Sequence, residues 1–468
     1  MAGLNKYQAY PEYRDSGVEW LGEIPSHWRI SKPRYMFKFG KGLTITKDNL
    51  QDEGIPCINY GEIHSKYGFE VSPKFHPLKC VDEKYLKDNS DSSLLKGDII
   101  FADTSEDVDG SGNFSQLISD NIVFAGYHTI IAKPLNRKNW RFYAYLLDCK
   151  ELRTQVRHAV KGVKVFSITQ AILRSLSIWL PTDDEQSKIV YFLDHETAKI
   201  DNLIEKQQLL IELLKEKRQA VISHAVTKGL KPDVPMKDSG VEWLGEVPMH
   251  WNICAIKHIV STPITDGPHE TPNFTDEGIP FISAEAVSSG VIDFTKKRAF
   301  ISQKDHYRFS QKYAPQFNDI FIIKSGATTG VTAIVDTYDD FNIWSPLAAI
   351  RCNVLSAPYF VLNFMRSKQF QTAIELKWSF GTQQNIGMSI IENIHITRPP
   401  IHEALEIANY IQTNCSKLEK LIQIAINQIA LMQERRTALI SAAVTGKIDL
   451  RNWTAPIPKA ETPTEASA

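Results

Sequence analysis

The chain has 468 residues and a mass of 53.0 kDa, a length that predicts about three domains rather than one compact core. Apolar residues make up 43% and charged residues 23%, which excludes a mostly disordered, collagen-like or membrane-spanning protein. There are 53 basic residues against 54 acidic ones, so the net charge of −1 neither indicates nor excludes a polyanionic partner.

Cysteine usage and the lack of targeting signals favour a cytoplasmic protein. The six cysteines form no C-x-x-C pair and have no histidine at metal-ligand spacing, which favours free thiols over disulfides or zinc. The first residues contain no apolar segment typical of a signal peptide, and no later stretch approaches the ~20 apolar residues of a membrane helix. We therefore expect a cytoplasmic location, no membrane contact and no metal site.

An internal repeat is the most informative feature of the sequence. Residues 15–28 read DSGVEWLGEIPSHW and residues 238–251 read DSGVEWLGEVPMHW, at an offset of 223 residues. A shorter echo follows in the same order, EGIPCI at 53–58 against EGIPFI at 277–282. The chain is therefore two copies of one unit. Because the segments between these landmarks diverge, the copies share a framework and carry different variable parts.

A long helix is predicted at the end of each copy. Residues 185–228 and 403–445 contain neither proline nor glycine, and Gly229 and Gly446 stand where a C′ glycine belongs. We expect a narrow apolar stripe, in three- and four-residue steps, to bury each helix against its duplicate as a coiled coil. The stripe consists of Ile200, Leu203, Leu210, Leu214 and Val221 in the first helix and Leu418, Leu421, Met432 and Leu439 in the second.

The predicted fold class is α+β. Short runs rich in β-branched and aromatic residues are expected to be strands, while helices are expected at 141–156 and 358–376. The strand runs include 98–101, 128–132, 319–323 and 332–335. If a pseudo-two-fold axis relates the copies, two long antiparallel coiled-coil helices separate two duplicated globular α/β domains. The predicted boundaries are 1–181 for the first globular domain, 182–230 for the first helical spacer, 231–400 for the second domain, 401–452 for the second spacer and 453–468 for a disordered tail.

No catalytic motif occurs in a suitable context. The chain has no G-x-x-x-x-G-K-[ST] motif for ATP, and the GATTG at 326–330 lacks the lysine. Glu375-Leu376-Lys377 resembles the end of a nuclease metal motif, but the carboxylate that should precede it on a strand is missing. We therefore expect a recognition protein without catalytic activity.

The sequence resembles the specificity subunits of type I restriction-modification enzymes, from about Tyr13 to Trp453. The resemblance rests on the paired GVEWLGE-x-P-x-HW segments, the EGIP-x-I echo, the DGPHETP loop at 266–272, the SGATTG turn at 325–330 and the two terminal helices. It implies that each globular part is a target recognition domain for one half of a split, asymmetric site in double-stranded DNA. It also implies that the helices set the spacer and dock methyltransferase subunits.

The same resemblance implies a subunit that directs adenine methylation or restriction but has no catalytic activity. Its partners would be two methyltransferase subunits, which bind S-adenosylmethionine, and restriction subunits, which use ATP and Mg2+; this chain itself would hold no cofactor. About 27 residues of helix from Ile200 give a rod about 40 Å long. That length corresponds to roughly 12 base pairs and puts both domains on one face of the duplex.

The candidate DNA-binding residues are polar side chains in loops, where amides, hydroxyls and cations reach phosphates or base edges. In the second globular domain they are Asp266, Gly267, His269, Thr271, Lys297, Arg298, Lys324, Ser325, Thr328, Thr329, Gln383, Gln384 and Asn385. In the first they are Thr44, Thr46, Lys47, Asn59, Tyr60, Thr104, Ser105, Lys161 and Lys164. The acidic run 103–107 would repel phosphate, so it either accepts from cytosine N4 or lies off the DNA. For any single residue, a solvated loop or a turn cap is the alternative interpretation.

The tryptophans of the repeat are expected to have a structural role. Trp20, Trp28, Trp243 and Trp251 are common to both copies and so cannot explain two different specificities. We expect them to pack in the core or anchor each domain rather than to stack on bases.

Two other functions remain open at this point. One is a non-catalytic scaffold that uses its duplicated domains to bind proteins. The other is a self-sufficient, Mg2+-dependent nuclease that depends on Glu375.

Overall fold

The computed structural model describes residues 7–160, 162, 165–377 and 385–456. The chain divides into two compact units, the first formed by Met1–Lys206 with Gln428–Ala468 and the second by Gln207–Asn427. In the described part of the chain, no helix is both long enough and apolar enough to cross a membrane.

The larger sheets of the first unit are a five-stranded sheet with the order β4-β13-β9-β11-β6 and a four-stranded sheet with the order β7-β5-β12-β8, beside the two-stranded sheets β1-β2, β10-β14 and β15-β3. Its strands are β1 Tyr13–Asp15, β2 Glu23–Pro25, β3 Arg29–Ser31, β4 Phe37–Lys41, β5 Ile55–Ile58, β6 Phe69–Val71, β7 Cys80–Val81, β8 Ser93–Leu94, β9 Ile99–Ala102, β10 Thr104–Ser105, β11 Phe114–Leu117, β12 Val123–Ala125, β13 Thr129–Pro134, β14 Phe166–Ser167 and β15 Ile178–Leu180. Its helices are α1 Tyr60–Ser65, α2 Tyr85–Asp88, α3 Trp140–Asp148, α4 Lys150–Ala159, α5 Gln170–Ser175 and the first part of α6 Asp183–Lys228.

The second unit contains two four-stranded sheets, with the orders β19-β26-β23-β24 and β20-β22-β21-β25. Its strands are β16 Met236–Asp238, β17 Glu246–Pro248, β18 Asn252–Ala255, β19 Thr265–Asp266, β20 Phe274–Thr275, β21 Ile279–Ile282, β22 Ala299–Ile301, β23 Ile320–Ile323, β24 Thr332–Ile334, β25 Asn342–Ile343, β26 Leu347–Ile350 and β27 His395–Arg398. Its helices are α7 Ala284–Val287, α8 Gln303–Ser310, α9 Pro358–Arg366, α10 Lys368–Glu375, α11 Met388–Asn393 and most of α12 Ile401–Val444. Mixed helix and strand content was expected, and β9, β13, β23 and β24 coincide with the predicted strand runs.

The long helices α6 and α12 have 46 and 44 residues, so each is about 65 to 70 Å long. A capping box begins α6: the Thr182 amide donates to Glu185 Oε2 at 3.1 Å, and the Glu185 amide donates to Thr182 Oγ1 at 3.4 Å. Gly229 and Gly446 have φ values of 76° and 73°, the left-handed conformation expected of C′ glycines. The predicted ends of both helices at these glycines are therefore confirmed.

The buried stripe of these helices differs in part from the predicted one. Ile200, Leu214, Leu418 and Leu439 are buried, and Val221 and Met432 are half-buried. The expectation that three other leucines are buried within the chain is wrong, because Leu203, Leu210 and Leu421 are 49%, 42% and 49% exposed. The residues that are buried or half-buried instead include some with polar side chains. They stand at positions 204, 207, 211 and 218 in α6 and 422, 425, 429 and 436 in α12. Five of these eight positions are apolar, so the predicted stripe chose some wrong apolar residues as well as leaving out Arg218 and Arg436.

Each of the two shorter predicted helices is broken in two. Cys149 and Ser367 have extended backbone, with ψ of 148° and 153°, between α3 and α4 and between α9 and α10. At the break the Lys150 amide donates to Ser441 Oγ at 3.1 Å in the first unit. The Lys368 amide donates to Ser223 Oγ at 2.9 Å in the second. In both units the break therefore docks the globular part onto a long helix.

The repeated tryptophan segment packs against the end of a long helix in both units. Trp28 is 1% exposed and lies beside Gly446, while Trp251 is 0% exposed and lies beside Gly229. The prediction of core packing is confirmed for these two tryptophans. Trp20 is 38% exposed and stacks on a histidine ring, and Trp243 is half-buried.

Ordered packing extends into the predicted C-terminal tail. The Trp453 ring lies 5.0 Å from that of Phe192, centroid to centroid, and 5.4 Å from that of His195. The predicted start of the disordered tail is therefore corrected, because Trp453 belongs to the packed part of the first unit. Residues 457–468 lie outside the described residues.

Candidate nucleic-acid interface

Each unit has a glycine loop that crosses the end of a parallel strand pair. β12 pairs in parallel with β5, and β25 pairs in parallel with β21. A Cβ atom on Gly42 would overlap the carbonyl oxygen of Gly126, and one on Gly267 would overlap that of Ile343. Only glycine permits this approach of two backbone segments. The loop after Gly42 and the loop after Gly267 thus occupy the same place in their respective units.

In the second unit a buried carboxylate orders two lysines beside this loop. Asp266 is 1% exposed and accepts hydrogen bonds from Lys312 Nζ at 2.6 Å and Lys324 Nζ at 2.5 Å. His269 Nε2 lies 3.1 Å from its Oδ2 atom. Burial acts to raise the pKa of Asp266, but the lysine hydrogen bonds outweigh burial and leave the pKa below its usual value. The cluster keeps more positive than negative charge, which suits a phosphate contact.

The roles predicted for Asp266 and Gly267 are therefore corrected. Both residues are buried, so neither reaches a DNA backbone or a base edge directly. Asp266 positions the two lysines, and Gly267 allows the loop to pass the strand end. His269 and Lys324 remain candidates for direct contact, since their side chains are 71% and 13% exposed.

Three of the remaining candidates, Ser325, Thr328 and Thr329, lie in the turn after Lys324, and Thr271 lies in the loop after Gly267. Ser325 forms an isolated β-bridge with Asn385, next to Lys324. The Thr329 hydroxyl donates to the Gly326 carbonyl at 2.6 Å and so closes the turn. Thr328 is half-buried and Thr271 is exposed. Gln383 and Gln384 lie outside the described residues.

Trp344 connects the basic run to the glycine loop. It follows β25, and its backbone borders Gly267. The guanidinium of Arg298 lies 5.6 Å from the centroid of the Trp344 ring, while Lys297 lies 4.6 Å from that of Phe300. Both cations of the predicted run are thus held against aromatic faces, the geometry of a cation–π contact.

Sequence reasoning missed Lys312, Trp344 and Arg308 in this region. A cavity of about 210 Å³ is lined by Asp266, Lys312 and Arg308, and the last of these lies 3.0 Å from Glu270. Lys312 and Arg308 are more than 30 residues from the loop and belong to no local motif, so only the tertiary fold brings them to it. Trp344 stands next to a serine and a proline, a turn signal that could have identified it.

The corresponding surface of the first unit is aromatic rather than basic. The Tyr60 ring contacts Tyr127 and His128, with centroids 5.9 Å and 5.6 Å apart. His128 has a φ of 55°, and its Nδ1 atom lies 3.2 Å from Asp103 Oδ1. Tyr127 and His128 come just after β12, as Trp344 comes just after β25. The acidic run is therefore joined at Asp103 to an aromatic surface of which the sequence had indicated only Tyr60.

Two candidates of the first unit have structural roles instead, and their assignment to DNA is corrected. Asn59 is 1% exposed, and its amide donates to Glu62 Oε2 at 3.0 Å at the start of α1. Ser105 is 3% exposed, and its hydroxyl donates to the Asp107 carbonyl at 2.7 Å. Both side chains were selected as polar loop residues, but the fold buries Asn59 and a local backbone carbonyl binds the Ser105 hydroxyl.

The other candidates of the first unit are more accessible. Thr44, Thr46 and Lys47 are exposed, although the Thr46 amide also donates to Asn49 Oδ1 at 2.9 Å in a turn. Thr104 is half-buried in β10, which pairs with β14. Lys161 and Lys164 lie outside the described residues.

The structure gives the nuclease alternative no support. Glu375 ends helix α10 rather than lying on a strand, which removes the context that the metal motif requires. Across residues 7–160, 162, 165–377 and 385–456, no group of three or more His, Cys, Asp or Glu side chains is arranged to hold a metal ion.

The fold and these surfaces define a duplicated α+β recognition protein, in which one framework occurs twice and carries two unlike polar surfaces. Residues 25–214 match the model of the type I restriction modification DNA specificity domain. The specificity subunit of the type I restriction enzyme EcoBI from Escherichia coli is 23% identical over 331 residues, which cover 69% of this chain and 68% of that protein. Over residues 25–214 and in its likeness to the EcoBI subunit, the chain is therefore similar to type I restriction-modification specificity subunits.

A solved structure with a TM-score above 0.5 shares the fold. A chain from a structure on complex assembly and conformational transition of the type I R-M system has a TM-score of 0.65 at 16% identity, covering 91% of this chain and 99% of that one. The HsdS subunit from Thermoanaerobacter tengcongensis has a TM-score of 0.47 at 15% identity, covering 91% of this chain and 98% of that one.

Proposed function

We propose that this chain is the DNA-reading subunit of a type I restriction-modification complex, in which each unit reads one half of a split, asymmetric site in double-stranded DNA. The observation that carries the proposal is the contrast between framework and surface. The docking contacts of Ser441 and Ser223 recur in both units, while the side chains around Gly42 and Gly267 differ. Two copies of one framework that carry different DNA-reading surfaces are suited to the recognition of two unlike base sequences.

The chemistry of the two surfaces supports unlike half-sites. In the second unit Lys312, Lys324 and His269 offer cations and donors, which suit phosphates and the acceptor atoms of guanine. In the first unit Tyr60 and His128 offer aromatic faces and edges beside the Asp103 carboxylate. A carboxylate accepts from cytosine N4, whereas it repels a phosphate. The two surfaces would therefore select different bases.

The long helices are proposed to fix the spacer and to dock the partner subunits. Leu203, Leu210 and Leu421 are exposed leucines on these helices, and an exposed leucine suits a partner surface better than water. The partners would be two methyltransferase subunits with S-adenosylmethionine, and restriction subunits that use ATP and Mg2+. The chain itself would be a non-catalytic subunit without a cofactor that directs adenine methylation or restriction.

Binding to duplexes of varied spacer tests the proposal. The chain, copurified with its methyltransferase partner, is incubated with a randomised duplex library, and bound sequences are recovered and sequenced. We expect two unlike conserved blocks at one fixed separation, and loss of binding when the separation changes by one or two base pairs. The matched control duplex keeps both blocks and changes only the sequence of the spacer. Recovery of a single block, or of two blocks at any separation, would contradict the proposal.

A protein-binding scaffold is the competing function. It predicts full assembly with partner proteins but no DNA affinity that falls steeply with salt. Measuring DNA binding of the same complex between about 50 and 200 mM salt distinguishes the two functions.

A further inference from the structure

The second unit contains a cavity of about 630 Å³ beside its long-helix segments. Two arginines, Arg218 of α6 and Arg366 of α9, line it together with aliphatic side chains that include Ile222 and Leu362. A volume of this size is typical of sites for small molecules. None of the lysines assigned above to the DNA surface is among its lining residues.

The two arginines are paired unequally. Arg218 Nη1 lies 3.1 Å from Glu419 Oε1, an ion pair. Arg366 Nη2 donates to the carbonyl oxygens of Gly290 at 2.5 Å and Thr332 at 3.1 Å, but Arg366 forms no ion pair with a carboxylate in the described part of the chain. Burial, and then repulsion by Arg218, lower the pKa of Arg366. Glu419 thus forms an ion pair with Arg218 and acts on Arg366 only through space.

The first unit has a neutralised version of this arrangement. At an offset of 218 residues, Asp148 takes the place of Arg366, Asp201 that of Glu419 and Arg436 that of Arg218. There Arg436 lies 3.7 Å from Asp148 Oδ2 and 3.1 Å from Asp201 Oδ1. One cation lies between two carboxylates in the first unit, whereas one carboxylate accompanies two cations in the second. The difference at one framework position therefore places a second arginine in the second unit where the first unit has an aspartate.

Two more polar groups line the cavity. Thr332 is 2% exposed, and its hydroxyl has no hydrogen-bond partner among the described residues, so it is a further donor for a ligand. Asp336 also lines the cavity, but it is exposed and forms no ion pair with either arginine within the described residues. The lining therefore holds two arginines and two carboxylates, and neither carboxylate forms an ion pair with Arg366 within the described residues.

We propose that this cavity binds the oxyanion of a small molecule, a carboxylate or a phosphate group, between Arg218 and Arg366. Guanidinium groups donate paired hydrogen bonds to both kinds of oxyanion. The aliphatic lining receives the rest of the molecule.

Titration of the full-length chain tests the site with two probes, inorganic phosphate and acetate. The pH and ionic strength are held constant, and chloride is the reference anion. Binding is followed by the rise in melting temperature and by calorimetry. Saturable binding of either probe is expected for the wild type, and the stronger probe identifies the kind of oxyanion. Arg366→Asp copies the residue of the first unit, and an aspartate there can pair with Arg218 as Asp148 pairs with Arg436. It should weaken binding at least about tenfold, since it removes a charged hydrogen-bond donor.

Matched variants separate this site from others. Lys217→Gln removes a positive charge from the neighbouring exposed position and should leave binding unchanged. Lys312→Gln removes phosphate binding at the DNA surface. The phosphate binding that depends on Arg366 should persist in this variant. If Arg366→Asp does not fold, Arg366→Gln and Arg218→Gln take its place. A wild type that binds neither probe better than chloride, or Arg366 variants that bind as well as the wild type, would overturn the proposal.

Discussion

The hydroxyl of Ser441 accepts a hydrogen bond from the backbone amide of Lys150 at 3.1 Å. The same contact joins Ser223 to Lys368 at 2.9 Å, with each residue displaced by 218 positions. In each case the donor is the first amide of a helix, one of the amide groups that a helix cannot satisfy itself. The two serines are 7% and 8% exposed, so water does not readily replace them.

Removing either serine hydroxyl should destabilise its own unit. Ser441→Ala and Ser223→Ala each leave a buried amide without a partner, which costs about 1 to 3 kcal/mol. Ser416→Ala is the matched control, because it makes the same change on the same helix as Ser441 at an exposed position. Urea unfolding measures the difference in free energy. Equal effects at Ser441 and Ser416 would show that the docking contact is not stabilising.

A side chain at the glycine of either loop should disturb the reading surface. Gly42→Ala brings a Cβ atom onto the carbonyl of Gly126, so the loop or the strand end must move, at about 1 to 3 kcal/mol. Gly61→Ala is the control, since a Cβ there meets nothing within 4 Å. We expect lower stability and weaker DNA binding for Gly42→Ala alone, measured by thermal unfolding and gel shift. Wild-type DNA binding by Gly42→Ala would mean that this loop does not support the surface.

The Asp266 cluster predicts a stability that depends on pH. Because the folded-state pKa of Asp266 is lowered, its contribution is present above the unfolded-state pKa of about 3.9 and is lost as the pH falls through the folded value. Asp266→Asn lacks that contribution, so it should be less stable than the wild type by about 1 to 3 kcal/mol at pH 7, and the difference should shrink in acid. Asp276→Asn, at an exposed carboxylate of the same unit, is the control. Unfolding curves at pH 3 to 7 give the comparison, and a difference that does not change with pH would refute the linkage.

Lys312 should contribute to DNA affinity through charge. If its ammonium group contacts a phosphate, Lys312→Gln weakens binding for all sequences and lowers the salt slope of the binding constant by about 1. Lys257→Gln removes the same charge from a lysine that donates to Asn393 instead, and it should keep the wild-type slope. Fluorescence anisotropy across a salt series measures both slopes. Identical slopes for the two variants would place Lys312 away from the DNA.

The sequence by itself determined the duplication, the fold class and the two long helices. These follow from local signals: the repeated tryptophan segment, the absence of proline and glycine over 185–228 and 403–445, and the C′ glycines. Such signals are visible because backbone preference and side-chain volume act over a few residues. The resemblance that identified the family rests on the same local motifs.

Only the tertiary structure decided which polar residues form the candidate site. Asn59 and Ser105 are polar loop residues of the kind that contacts DNA, but the fold buries both, and a local backbone carbonyl accepts from the Ser105 hydroxyl. Lys312 joins Asp266 across 46 residues of sequence, and no local pattern records that contact. Leu203 and Leu210 look like core residues, yet they are 49% and 42% exposed, whereas the polar Gln207 is half-buried. Burial and long-range pairing depend on how distant segments pack, which residue type alone does not specify.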